Sequence, residues 1–125
     1  MIQLYFMISV LIGVIVIADS LFLFKAKGIY ENNKVLSITT GIEFIWAVIS
    51  IIAIFNVSFS QWQLLIPSLY VIHNIFGWAY GVYLLSKSPE ALEDLTQFVV
   101  PMWYVKFCVS YGIVFTLLCI LAVLF

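Results

Sequence analysis

Ser37-Ile38-Thr39-Thr40-Gly41-Ile42-Glu43-Phe44-Ile45-Trp46-Ala47-Val48-Ile49-Ser50 lies inside an apolar run long enough to cross a bilayer, yet it holds a carboxylate far from either end. Thr40, Glu43, Ala47 and Ser50 recur at steps of three and four, which places small and polar side chains on one helical face. A carboxylate at that depth must face protein, water or an opposite charge rather than lipid. Two other hydrophobic runs carry candidate partners, Asp19 and Lys106. The chain is therefore expected to pack around a buried polar seam.

Composition sets the class. Of 125 residues, 66% are hydrophobic and 9% are charged, whereas a soluble domain is about half apolar and about a quarter charged. Four runs each supply the ~20 apolar residues that span a hydrocarbon core as a helix. They are continuous rather than alternating, which argues against a transmembrane barrel. The net charge is −1 and no Arg occurs, so there is no basic footprint for nucleic acid. Cys108 and Cys119 both fall in the last run without metal-ligand spacing. No disulfide framework, metal or cofactor is expected from them.

The first span is placed at about 2–24. No basic region precedes it and no small-residue cleavage site follows, so it is expected to stay in the mature protein. Ser9 and Gly13 form a small-xxx-small pair suited to a close helix approach. Asp19 follows, about 9 Å inside the boundary marked by Lys25 at 1.5 Å of rise per residue. Lys25, Lys27, Gly28, Glu31, Asn32, Asn33 and Lys34 form a short turn-rich connection. The second span, about 35–57, holds Glu43 some ~12 Å in from the same side.

The third span is placed at about 64–85, with Pro67 in its first turn, where a missing amide donor costs little. His73 and Asn74 fall near mid-membrane. Gly77-Trp78-Ala79-Tyr80-Gly81 is a GxxxG, and a close helix contact is expected along His73, Gly77, Gly81 and Leu84. Ser88, Pro89 and Glu90 read as cap, first residue and acidic first turn of a short interfacial helix over about 89–98. Pro101 ends it, and the fourth span follows over about 102–125 with a small-residue stripe at Cys108, Gly112, Thr116 and Cys119. Lys106 enters that span to a depth of about 8 Å.

These readings define an all-α membrane protein: four transmembrane helices in an antiparallel bundle with one short interfacial helix, forming a single domain over 1–125. Lys25, Lys27 and Lys34 lie in the first loop and Lys87 in the third, while the second loop and both termini carry no Lys. Loops 25–34 and 86–100 are thus expected in the cytoplasm and both termini on the other side.

Asp19, Glu43 and Lys106 share one half of the membrane. Two carboxylates and one ammonium cannot neutralise pairwise, so either one carboxyl keeps its proton or water reaches the group. One reading is a proton or cation relay, or a polar pocket. The other, which the sequence favours, lets Asp19 and Lys106 snorkel to the headgroups and leaves Glu43 bonded to a neighbouring hydroxyl. A lone His73 is expected as a core histidine hydrogen-bonded to a facing helix, because haem and metal sites need more ligands.

No nucleophile–base pair or phosphate-binding motif occurs. The expected function is a non-catalytic membrane subunit, partnered by the bilayer and by other subunits or itself. A small proton-coupled transporter or channel using Asp19, Glu43 and Lys106 is the alternative. A weaker alternative is a membrane enzyme or quinone-site subunit, whose cavity His73, Tyr80 and Trp78 would line.

Overall fold

The computed structural model describes residues 2–29, 34–87 and 99–125, apart from the side chains of Lys34 and Val35. It contains four helices in this described part: α1 (Ile2–Lys25), α2 (Lys34–Asn56), α3 (Leu65–Lys87) and α4 (Met102–Leu124). Their bounds lie within about two residues of the four expected runs, as continuous hydropathy dictates. The expected interfacial helix over 89–98 lies outside the described residues.

Three stretches, Ile2–Lys25, Leu36–Asn56 and Met102–Leu124, are long and apolar enough to cross a membrane, which fits a multi-pass membrane protein. Helix α3 matches them in length with 23 residues, but Ser68, His73, Asn74 and two glycines make it less apolar.

The helix ends follow local chemistry. At the end of α1, the Gly28 N–H donates to Leu23 O at 2.8 Å and the Lys27 N–H to Phe24 O at 3.2 Å. These are the paired bonds of a Schellman stop. Lys27 takes a left-handed φ of 57° and Gly28 a φ of 82°. Only the glycine accepts that conformation without steric cost.

The Gly28 carbonyl accepts the Val100 N–H at 2.7 Å, and Ile29 pairs with Val99 in an antiparallel bridge. A side chain on Gly28 would collide with the Val100 carbonyl oxygen. This clasp fixes the first loop to the segment that feeds α4. Pro101 precedes α4 as its cap, with its carbonyl accepting the Tyr104 and Val105 amides at 3.1 and 3.2 Å. Before α3, the Gln63 side-chain oxygen accepts the Ser60 N–H at 3.1 Å, half of a capping box.

The helices alternate in direction and sit as a four-sided ring. The backbones of α1 and α4 approach most closely, those of α2 and α3 next, while α1–α2 and α3–α4 stand further apart and are bridged by aromatic side chains such as Tyr5–Trp46 and His73–Tyr111. Glycine explains the asymmetry. A side chain on Gly13 would collide with the Thr116 hydroxyl, and one on Gly112 would come within 2.8 Å of Ile17 Cγ1 and 3.3 Å of the Ile17 backbone N. The expected stripes on α1 and α4 therefore meet each other.

The half away from the charged loops is solid. Phe6, Ile66, Tyr70, Phe115 and Cys119 are all 1% exposed or less. Tyr5 stacks on Trp46 at 5.0 Å, and its hydroxyl shares a 2.7 Å hydrogen bond with Ser50 Oγ. The Trp46 ring N–H donates to Ser9 Oγ at 3.1 Å. Ser9 and Ser50 are thus small residues that also satisfy buried donors on neighbouring helices.

Substituting Gly112 by Leu is expected to destabilise the bundle by about 1–3 kcal/mol through overpacking. Gly41→Leu, where a side chain meets only open space, should leave the unfolding temperature unchanged. Scanning fluorimetry of the two variants in the same detergent distinguishes them, and equal melting temperatures would contradict this packing.

Candidate functional site

The half next to the charged loops is hollow. Where α1–α2 and α3–α4 splay, a cavity of about 240 Å³ opens. Leu23, Leu84 and Val100 line it at the charged-loop end, and His73 and Asn74 line its deep end. Its walls carry both intramembrane carboxylates, Asp19 from α1 and Glu43 from α2. The two carboxyls face the same recess from neighbouring helices, close enough to feel each other's charge, and the Thr39 hydroxyl donates to the Leu36 carbonyl of its own helix at 3.1 Å.

Thr40 and Glu43 line the cavity while Ala47 and Ser50 continue the same face into the solid half, so the polar face of α2 points inward along its length. The Tyr70 hydroxyl, fully buried, donates to the Glu43 backbone carbonyl at 2.8 Å. That bond holds α3 against α2 at the level where the packed half meets the hollow one.

Lys106 does not join the carboxyls. It is exposed on α4 and is not among the cavity residues. Its neighbour Val105, 1% exposed, takes the inward position, and one residue further along a helix turns by about 100°. The expected trio is thus a carboxyl pair, and among the described residues no Lys lines the cavity.

His73 lines the deep end, but its environment differs from the expected core histidine. Its ring stacks on Tyr111 at 3.8 Å, with the planes 12° apart. Its Nδ1 and the Tyr111 hydroxyl are buried without a hydrogen-bond partner among the described residues. Stacking holds the imidazole face to face with the Tyr111 ring, and its contact with α4 is made through ring carbon rather than a hydrogen bond from Nδ1. Asn74 donates to the Tyr70 carbonyl of its own helix at 2.8 Å.

The GxxxG face of α3 also departs from expectation. His73, Gly77, Gly81 and Leu84 all line the cavity instead of seating a helix. A side chain on Gly81 would meet nothing, and one on Gly77 would meet only the Tyr104 hydroxyl, 2.9 Å away. The bare backbone creates room for the cavity. Tyr104 and Tyr80, with rings 5.0 Å apart, and Trp78 add aromatic surface to its α3–α4 side.

The hydrogen-bonding network of Tyr5, Trp46 and Tyr70 carries no pattern that sequence reading identifies, since each partner is distant in the chain. Among the described residues, no group of three His, Cys, Asp or Glu side chains converges as a metal site. What the arrangement offers is a pair of carboxyls in a recess with aromatic walls: an acceptor for a proton or for a small cation.

No protein-family model, curated protein or solved structure matches the chain.

If the cavity communicates with water, a cysteine placed at Gly81 or Thr40 in a Cys108→Ser, Cys119→Ser background should react with a membrane-impermeant maleimide. A cysteine replacing the outward-facing Leu11, 63% exposed on α1, should not. Mass spectrometry of labelled vesicles reads the difference. Protection of both cavity positions from either side would show a sealed void.

Proposed function

We propose that this chain is a four-span membrane protein that binds a proton or small cation at Asp19 and Glu43 and carries it across the membrane. The observation that carries this reading is the convergence of two carboxyls from different helices in one cavity, with no lysine beside them among the described residues. A carboxyl pair that shares a recess holds a proton on its oxygens, and a cation that takes the proton's place finds the same oxygens as ligands. Exchange of one for the other is the elementary act of a proton-coupled carrier.

Helix α3 is the fourth span in this reading. Its 23 residues reach about 34 Å at 1.5 Å per residue, enough for a core of ~30 Å. Its lower hydropathy follows largely from its position, because His73, Asn74, Gly77 and Gly81 line the cavity rather than face lipid. The lysine distribution puts the cavity mouth and loops 25–34 and 86–100 on the cytoplasmic side, with both termini opposite.

This reading displaces the subunit reading as the lead. The small-residue stripes of α1 and α4 that favoured assembly with a partner are consumed within the chain, Gly13 against Thr116 and Gly112 against Ile17. The GxxxG of α3 faces a cavity. What is left for lipid or for other subunits is the ordinary outward surface of the bundle, with residues such as Val82 and Leu124 exposed at 68% and 69%.

Reconstitution in liposomes with a trapped pH dye tests the proposal. An imposed gradient of a small cation should drive counter-movement of protons through the wild-type protein. Glu43→Gln should reduce the signal to that of empty liposomes while eluting from a sizing column like the wild type. Asp19→Asn should weaken it. Wild-type traces equal to those of empty liposomes for alkali cations and simple amines alike would refute the carrier reading.

A further inference from the structure

A second recess lies on the opposite side of His73. Leu69, Ile72, Phe76, Phe107 and Tyr111 join His73 around an outward groove of about 250 Å³ between α3 and α4. Apart from its two polar rings, it is lined by hydrocarbon and aromatic carbon. Ile72, 62% exposed, forms its rim on the outward surface of α3. The imidazole of His73 lines both recesses and is the wall they share.

Three features of that wall bear on an occupant. The backbones of α3 and α4 stand apart and the gap is closed by rings, His73 against Phe107 and Tyr111 and Phe76 against Tyr104, so a molecule passing between the helices has to displace side chains rather than backbone. The wall holds two buried polar atoms without partners among the described residues, His73 Nδ1 and the Tyr111 hydroxyl. The two sides differ in chemistry: both present apolar and aromatic carbon, but only the inner one holds carboxyls. A carboxyl pair with no lysine among the described lining residues calls for a cationic head, and the Trp78, Tyr80 and Tyr104 rings favour the same charge. The groove calls for an alkyl or aryl tail.

We propose that the two recesses form one binding site for a single-chain cationic amphiphile. Its amine head binds Asp19 and Glu43, its tail lies in the α3–α4 groove, and His73 swings off Tyr111 to let the chain pass. The proposal rests on the cavity being a cation site, as in the carrier reading, and adds the tail and its lateral route. Tail burial itself contributes little, because lipid is as apolar as the groove. Selectivity comes from the head and from the fit between α3 and α4. A head group arriving from the bilayer meets the polar atoms of His73 and Tyr111 on its way to the carboxyls.

The test uses the full chain in lipid nanodiscs and dodecylamine carrying a terminal diazirine. Photolabelling should concentrate on Leu69, Ile72, Phe76 and Phe107 and be displaced by unlabelled dodecylamine. Glu43→Gln, which removes the charge that anchors the head, should cut groove labelling by about tenfold or more. Ile72→Trp, which fills the groove, should cut it as well. In Gly81→Cys protein, methylammonium should block maleimide attack equally well with and without Ile72→Trp, since a head-only cation needs no groove.

Labelling spread evenly over outward residues such as Leu11 and Ile52, and indifferent to Glu43→Gln, overturns the amphiphile site. If methylammonium still protects Gly81→Cys in that case, the cation cavity stands and only the tail route falls. If methylammonium gives no protection, the cation reading falls with it.

Discussion

The contact on which the rest depends is the close approach of α1 and α4 at Gly13 and Gly112. Each glycine receives side-chain atoms of the facing helix where a Cβ would otherwise stand, so the two backbones lie nearer than Leu-lined helices allow. A ring of four helices cannot close equally tightly on all sides around such a pair. With α1 drawn to α4 and α2 resting on α3, the remaining two seams open. Large residues fill the gap at one end, where Tyr5, Phe6, Trp46 and Tyr70 interlock. At the other end the inward positions include Thr40, Gly77, Gly81 and Cys108, which are too small to fill the gap beside their larger neighbours. The cavity is therefore a product of residue size along the inward faces as much as of helix geometry.

Polar groups are distributed to suit this division. In the packed half every donor that the aromatic residues bring inside finds an acceptor: Tyr5 with Ser50, Trp46 with Ser9, Tyr70 with the Glu43 carbonyl. Neutral hydrogen bonds of this kind contribute about 1 kcal/mol each, and an unmade one costs more. Asp19 and Glu43 line the hollow half, where they face space rather than hydrocarbon, whereas Lys106 is exposed on the outside of α4. Only His73 and Tyr111, at the seam where the backbones of α3 and α4 stand apart, keep buried polar atoms unpaired among the described residues.

Much of this was legible in the sequence, and the failures have a common cause. Hydropathy is a property of position along the chain, so the four helices and the depths of Asp19, Glu43 and Lys106 could be read directly. Azimuth was harder. Lys106 shares a depth with the carboxyls, but the inward stripe of α4 runs through Val105, Cys108 and Gly112, and Lys106 lies off it. The stripe itself was visible in the residue spacing and held the answer. Gly77 and Gly81 pose a different difficulty: a glycine face states that the backbone is bare, not whether a helix or a void lies against it. The aromatic hydrogen bonds and the His73–Tyr111 stack join residues dozens of positions apart, with no local pattern to announce them.

Energetics then decides what state the hollow half is in. Left empty, a recess of this size forfeits the packing contacts that larger inward side chains would make. An apolar lining tolerates emptiness, but this one presents Asp19, Glu43, Thr40 and Asn74, each able to bond water. At ~30 Å³ per molecule the cavity has room for about eight waters. The carboxyls therefore line a recess with room for water, and water there lowers the cost of holding charge within a hydrocarbon layer. A purely structural polar seam has no use for that volume, since shorter inward gaps filled by Leu or Phe would stabilise the bundle more. Small residues at Thr40, Gly77 and Gly81 give up packing energy, and the physical consequence is open space beside two carboxyls.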